Sequence, residues 1–240
     1  MLHMIISKEC ENKVHKEYKG WMIPQNETHF QKHLFKKFKC DYQFKIHSLA
    51  SRFFDCKKVA IDIGANIGMM TLRYSKQFDI VHSFEPIDIN YKCLQLNTKH
   101  VNNVKLYKIG LGDQVKKEKI YNKHSYNNSG GWSINDWNNK DWIHYDDQTK
   151  LISQDIIINT LDQYNLKPDF IKIDTQNYEM NVLLGAHKTI MRHSPIIQIE
   201  LDRQDPKMRK RILKHLMILG YKVIAVWRKD HLLIRNRKRK

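Results

Sequence analysis

The chain has 240 residues, 41% hydrophobic and 28% charged, and 42 Lys and Arg stand against 25 Asp and Glu for a formal net charge of +17 at pH 7. No apolar run approaches the roughly 18 residues of a membrane span, and Met4-Ile5-Ile6 is too short for a signal-peptide core, so a cytoplasmic protein is expected. Cys10, Cys40, Cys56 and Cys93 form no Cys-x-x-Cys pair, which argues for reduced thiols and against a zinc site.

The length suits one large α/β domain, alone or with an extension. Residues 1–55 read as a helical N-terminal extension, 56–235 as the main domain and 236–240 as a basic tail. Met1 to Tyr18 is polar without a sustained period, so loose docking is expected. From Asn26 a helix is expected, with Thr28 as its cap and Phe30, Leu34, Phe35 and Phe38 at helical spacing. His29 and His33 are four apart, but with no third ligand in reach no metal is assigned. A second helix is expected over Tyr42 to Phe54.

The next stretch organises the chain. Val59 to Ile63 is a short β-branched run of the kind that forms a buried parallel strand. Gly64-Ala65-Asn66-Ile67-Gly68 follows at once, then a helix from Met69, then a second strand, Ile80 to Phe84, ending in Glu85. Glycines let the backbone turn tightly and approach a ligand, and free N–H groups at a helix start attract negative charge. Glu85 follows Gly64 at close to the roughly 20-residue offset at which an acid meets a ribose diol. The unit therefore points to an adenosine-type cofactor. The shortened turn preceded by Asp62 looks more like an S-adenosylmethionine site than a dinucleotide site: Asp62, Gly64, Asn66 and Gly68 would hold the amino-acid end and Glu85 the ribose. Glycines serving packing alone are the alternative.

Beyond Glu85, a helix capped by Asp88 runs to about Thr98, and Val101 to Leu111 reads as one strand. Gly112 and Asp113 at its end are placed beside the adenine, or in a plain surface turn. Between Lys117 and Lys150, the turn Asn127 to Gly131 adjoins Trp132, Trp137, Trp142 and Tyr145, which suit either a sugar- or base-binding insertion or a loop packed on the core. The strand Pro168 to Asp174 ends in an acid, and Pro195 to Ile199 repeats this with Glu200. Both carboxylates are expected at one crevice off the strand ends, where a general base or a hydroxyl clamp would sit. Asp205-Pro206 opens the last helix and Gly220 ends it. Tyr221 to Arg235 then reads as a hairpin. An antiparallel last strand on an otherwise parallel seven-stranded sheet is the ending of the class I methyltransferase fold, a Rossmann-like α/β architecture.

With these residues in view, the chain resembles the FkbM family of S-adenosylmethionine-dependent methyltransferases over about Val59 to Tyr221. The marks are AIDIGANIG (Ala60 to Gly68), FEP (Phe84 to Pro86), GLGD (Gly110 to Asp113), the turn Asn128 to Gly130, TLD (Thr160 to Asp162), FIKIDTQNYEMNVLLGA (Phe170 to Ala186) and PIIQIE (Pro195 to Glu200). The element from Trp21 to Phe30 also resembles an extension of phage and viral members, which would place the protein in a host cytoplasm. The resemblance implies S-adenosyl-L-methionine as cofactor and methyl transfer to oxygen, often a hydroxyl of a sugar, glycan or small metabolite. The family commonly has Asp-Val-Glu-Gly-Phe/Tyr-Glu where this chain has Asp174-Thr175-Gln176-Asn177-Tyr178-Glu179. Gln176 removes one candidate base, and Asn177 tolerates the left-handed backbone a glycine serves. The catalytic assignment therefore falls on Asp174, supported by Glu179 and Glu200, with residues 1–55 as a lid. Two rivals stand beside it. The +17 charge admits nucleic acid as partner and an RNA ribose 2′-O or cap methyltransferase. Gln176 alone favours an inactive cofactor-binding module.

Overall fold

The computed structural model describes residues 15–35, 43–54, 56–122, 128–134, 152–201 and 205–235. Its centre is a seven-stranded sheet. In chain order the strands are β3 (Val59–Ile63), β4 (Ile80–Phe84), β5 (Val104–Tyr107), β9 (Phe170–Ile173), β10 (Ile196–Glu200), β11 (Tyr221–Trp227) and β12 (Asp230–Arg235). Their spatial order is β11-β12-β10-β9-β3-β4-β5. Every pair from β10 to β5 is parallel, and β12 alone runs antiparallel to its neighbours. The four residues of β9, Phe-Ile-Lys-Ile, are all buried, as expected of a central strand covered on both faces.

Helices α2 (Met69–Ser75), α3 (Asp88–Thr98), α4 (Glu179–Gly185), α5 (His187–His193) and α6 (Pro206–Ile218) complete the crossovers. Asp205 caps α6 by accepting the Met208 N–H at 2.9 Å, and Ile212 and Leu216 form its buried stripe. One large core gathers Ile61, Ile63, Phe84, Ile171, Ile197 and Leu233 with the helices on one side. A second, around Ile46, Tyr74, Phe78 and Phe170, is covered by α1 (Phe44–Ala50).

Three expectations are corrected. Residues 15–18 are not loosely docked: β1 (His15–Tyr18) pairs with β2 (Trp21–Pro24) as a hairpin, so the extension is only partly helical. Asn97 of α3 pins that hairpin, accepting the Met22 N–H at 2.7 Å and donating to the Met22 carbonyl at 2.9 Å. The helix after it is a short π-helical segment, Phe30–Phe35. Glu27 supplies the side-chain acceptor for its Phe30 N–H, where Thr28 was expected to cap. The single strand over Val101 to Leu111 is two. β5 ends at Tyr107, and β6 (Gly110–Leu111) joins β8 (Ile152–Asn159) and β7 (Lys116–Asn122) in a separate three-stranded sheet. Phe38, Cys10, Cys40, Trp137, Trp142, Tyr145 and the basic tail lie outside the described residues.

Candidate active site

A cavity of about 360 Å³ opens at the carboxyl ends of β3, β4, β9 and β10, within the range of small-ligand sites. Gly64, Asn66, Glu85, Asp174 and Glu200 line it. The hairpin extension contributes His29 and Phe30, and the smaller sheet and its loop contribute Ile120, Ile156, Ser129 and Trp132.

Glu85 follows the last residue of β4. Its Oε2 accepts the Asn66 N–H at 2.8 Å and its Oε1 the Ile87 N–H at 3.0 Å. A carboxylate has about four acceptor positions, so with the Asn66 and Ile87 N–H groups and the Asn90 side chain on it, Glu85 keeps room for a further donor. Burial pushes its pKa up to about 7, against the lowering effect of those N–H groups. A buried, oriented carboxylate with spare acceptor capacity fits a ribose hydroxyl.

The two turn glycines are explained by internal packing as well as by the site. Gly64 has φ +77°, and a Cβ there would stand 1.9 Å from the Asp174 carbonyl oxygen. Gly68, at φ +92°, opens α2 and faces Leu94; it does not line the cavity. Asp62 is fully buried beneath the turn and also outside the lining, accepting from the Thr71 hydroxyl at 2.7 Å. Gly112 and Asp113, expected beside the adenine, are likewise displaced from it. Gly112 packs under α4, where a Cβ on Gly185 would meet its carbonyl at 1.8 Å. Asp113 accepts from the Asn181 amide at 3.2 Å. Ile109, Gly110 and Leu111 hold the lining position instead.

Asp174 and Glu200 meet because β9 and β10 are parallel neighbours in register. Asp174 Oδ1 accepts the Gln176 amide at 3.0 Å, and its Oδ2 lies 3.4 Å from Lys172 Nζ. Thus Gln176 satisfies a lone pair of Asp174, where a carboxylate would repel it. Gln176 and Asn177 have φ of 52° and 74°, so the turn keeps two left-handed residues without glycine. Asp174 first, then burial, pushes the Glu200 pKa well above the usual carboxylate range. Glu179 does not line the cavity. Its Oε1 accepts from the Thr175 N–H and hydroxyl and from the Asn177 N–H, holding the turn shut, and burial raises it to about 7.

Lys172 was missed from the sequence. Its ammonium donates to the Gly64 carbonyl at 3.1 Å and lies 3.4 Å from Asp62. Burial opposes its charge, but Asp174, Asp62 and Glu200 outweigh that and raise its pKa. The signal was a lone cation in the apolar run Phe170 to Ile173. Asn90 and Lys229, also in the lining, left no comparable mark, whereas Ser129 belongs to the turn Asn128 to Gly130 already singled out. Among the described residues, no three His, Cys, Asp or Glu side chains are placed to hold a metal ion, and no helix is long and apolar enough to cross a membrane.

The strand order, the antiparallel β12 and a cavity off the parallel strand ends define a class I methyltransferase fold. The methyltransferase FkbM domain model matches residues 62–223, and the chain belongs to that family. No curated protein matches the sequence. Among solved structures, the methyltransferase FkbM from Methylobacillus flagellatus KT is 19% identical, with a TM-score of 0.48 over 75% of this chain and 43% of that one. This chain thus spans less than half of that relative. A ribosomal protein L11 methylase from Lactobacillus delbrueckii subsp. bulgaricus is 10% identical, with a TM-score of 0.48 over 82% and 79% of the two chains. An rRNA methylase from Streptococcus thermophilus is 9% identical, with a TM-score of 0.45 over 79% and 92%. At these scores none of the three bears on the acceptor.

Proposed function

We propose that the protein binds S-adenosylmethionine in this cavity and transfers its methyl group to a hydroxyl oxygen of a sugar, glycan or small metabolite. The observation that carries the reading is Glu85, a buried carboxylate fixed by two backbone N–H groups and the Asn90 side chain in the cavity wall, with acceptor capacity left for a ribose hydroxyl. When bound, the cofactor supplies an electrophilic methyl on a sulfonium. The chain's own residues do the rest. Gly64, Asn66 and Lys172, all in the lining, would hold the amino-acid end, and Ile109 and Leu111 would border the base. At the far wall Asp174 would accept the hydrogen bond of the acceptor hydroxyl and take its proton as the oxygen–methyl bond forms and the methyl–sulfur bond breaks, with Glu200 beside it to orient the same hydroxyl. Two neighbouring carboxyls can orient one oxygen for in-line attack, and positioning supplies most of the rate.

A second reading, ribose 2′-O methylation of RNA, is favoured by one observation. Lys172 and Lys229 join Asp174 and Glu200 in the lining, and Lys229 Nζ lies 4.0 Å from Glu200. The exposed basic side of α6, with Lys207, Lys210, Arg211 and Lys214, suits a phosphate backbone. The two readings part in a transfer assay with labelled methyl groups. Incorporation into glycans or small polyols with no salt-dependent RNA binding supports the first; incorporation into RNA oligomers replaces it by the second.

A further inference from the structure

Residues 15–35 lie outside the segment that matches the family, yet they reach the Glu85 side of the cavity through one buried carboxylate. Glu27 is 0% exposed. Its Oε1 accepts the Phe30 N–H at 2.9 Å, and its Oε2 accepts the Ser129 N–H across 102 residues of chain. Ser129, itself buried, passes the constraint on in two directions. Its carbonyl accepts from the Asn90 amide at 2.9 Å, and its hydroxyl donates to Asn66 Oδ1 at 3.3 Å. Asn66 donates its N–H to Glu85 at 2.8 Å, and the Asn90 side chain also supports the Glu85 carboxylate.

We propose that Glu27 is a positioning residue of the cofactor site: it fixes Ser129, and through Ser129 holds Asn66 and Asn90 where they orient Glu85. The inference rests on the reading of the cavity as an S-adenosylmethionine site. A carboxylate suits the task because two N–H groups from separate segments converge on it, and an ionised acceptor strengthens both bonds. Glutamine in its place offers one acceptor and turns a donor on the other N–H, leaving a buried group unsatisfied. The extension therefore completes the site as well as walling it with His29 and Phe30.

The test compares S-adenosylhomocysteine binding by wild type, Glu27→Gln and Glu27→Asp across pH 5.5 to 9, with melting curves to establish folding. Glu27→Gln is expected to weaken binding about tenfold. It also moves the midpoint of the pH dependence upward, because the Asn66 and Asn90 bonds lower the Glu85 pKa and are loosened. Lys172 of β9, the cation facing Glu85, is unchanged, so the shift reports the loosened bonds. Glu27→Asp, which keeps both acceptor oxygens on a shorter stem, recovers part of both effects. Should Glu27→Gln fail to fold, Ser129→Ala removes only the hydroxyl link to Asn66 and gives the same upward shift. Wild-type affinity and midpoint in the folded variants overturn the inference while leaving the cofactor reading intact. Failure of the wild type itself to bind rejects that reading, and the inference with it.

Discussion

Lys172 and Asp62 face each other across the paired strands β9 and β3, 3.4 Å apart and both buried. The same ammonium lies 3.4 Å from Asp174, one residue past the end of β9. One cation thus ties the floor beneath the glycine turn to the acid at the acceptor wall. Replacing it by an apolar side chain of similar length leaves the buried Asp62 and the partly buried Asp174 without their counterion. Lys172→Met is expected to lose on the order of 3–5 kcal/mol of stability, read by chemical denaturation at neutral pH. Wild-type stability would mean that the pair is not the tie described.

Asp174 is the largest cause of the raised Glu200 pKa. In Asp174→Asn the Glu200 pKa should fall toward its ordinary value of 4.5, observable by NMR titration of labelled glutamate carboxyls. Turnover should fall about 10²-fold, the low end for a lost acid–base group, with cofactor affinity retained. An unchanged Glu200 titration would separate the two carboxyls.

Three buried acids, Glu85, Glu179 and Asp230, have pKa values raised to about 7, each chiefly by burial. A raised value means that the folded form keeps a proton the unfolded form has already released. Their contribution to the stability of the ligand-free protein therefore falls as pH rises from the ordinary carboxylate range to about 7 and is level above it, while His47 and His82, whose pKa values burial lowers to about 4, contribute in the opposite direction up to the ordinary histidine range. Glu179→Gln keeps an acceptor for the Thr175 and Asn177 N–H groups and should flatten that slope. A pH dependence of melting unchanged between wild type and Glu179→Gln would contradict the burial argument.

Gly64→Ala places a methyl group against the Asp174 carbonyl at a φ that L side chains rarely adopt. The cost should be roughly 3 kcal/mol or more, seen as loss of soluble protein or a lowered melting temperature. A well-folded alanine variant would show that β3 and the Asp174 turn can separate cheaply.

What was legible in the sequence was local. The strand from Val59, the turn at Gly64 to Gly68, α2 and Glu85 follow one another within a single βαβ unit, so residue type and spacing locate them together. Asp174 and Glu200 were found for the same reason, each ending an apolar strand. Features formed between distant segments were not legible. Gly110 and Leu111 leave the main sheet because β8, some fifty positions later, pairs with them. Asp113 turns to Asn181 for an equally distant reason. Glu27 finds Ser129 across a separation that no periodicity encodes. Lys172 is the intermediate case: a lysine within β9 signals a buried partner, but only the β3 register names Asp62.

The central claim is tested most directly by calorimetric titration of S-adenosylmethionine and S-adenosylhomocysteine into the wild-type protein and Glu85→Ala. The account predicts micromolar binding, about −8 kcal/mol, weakened roughly 10- to 100-fold in the variant through a lost bond to a charged acceptor. It also predicts wild-type affinity that rises with pH up to about 7 and then levels, as Glu85 ionises. No binding by folded wild type, or equal binding by Glu85→Ala, would contradict it.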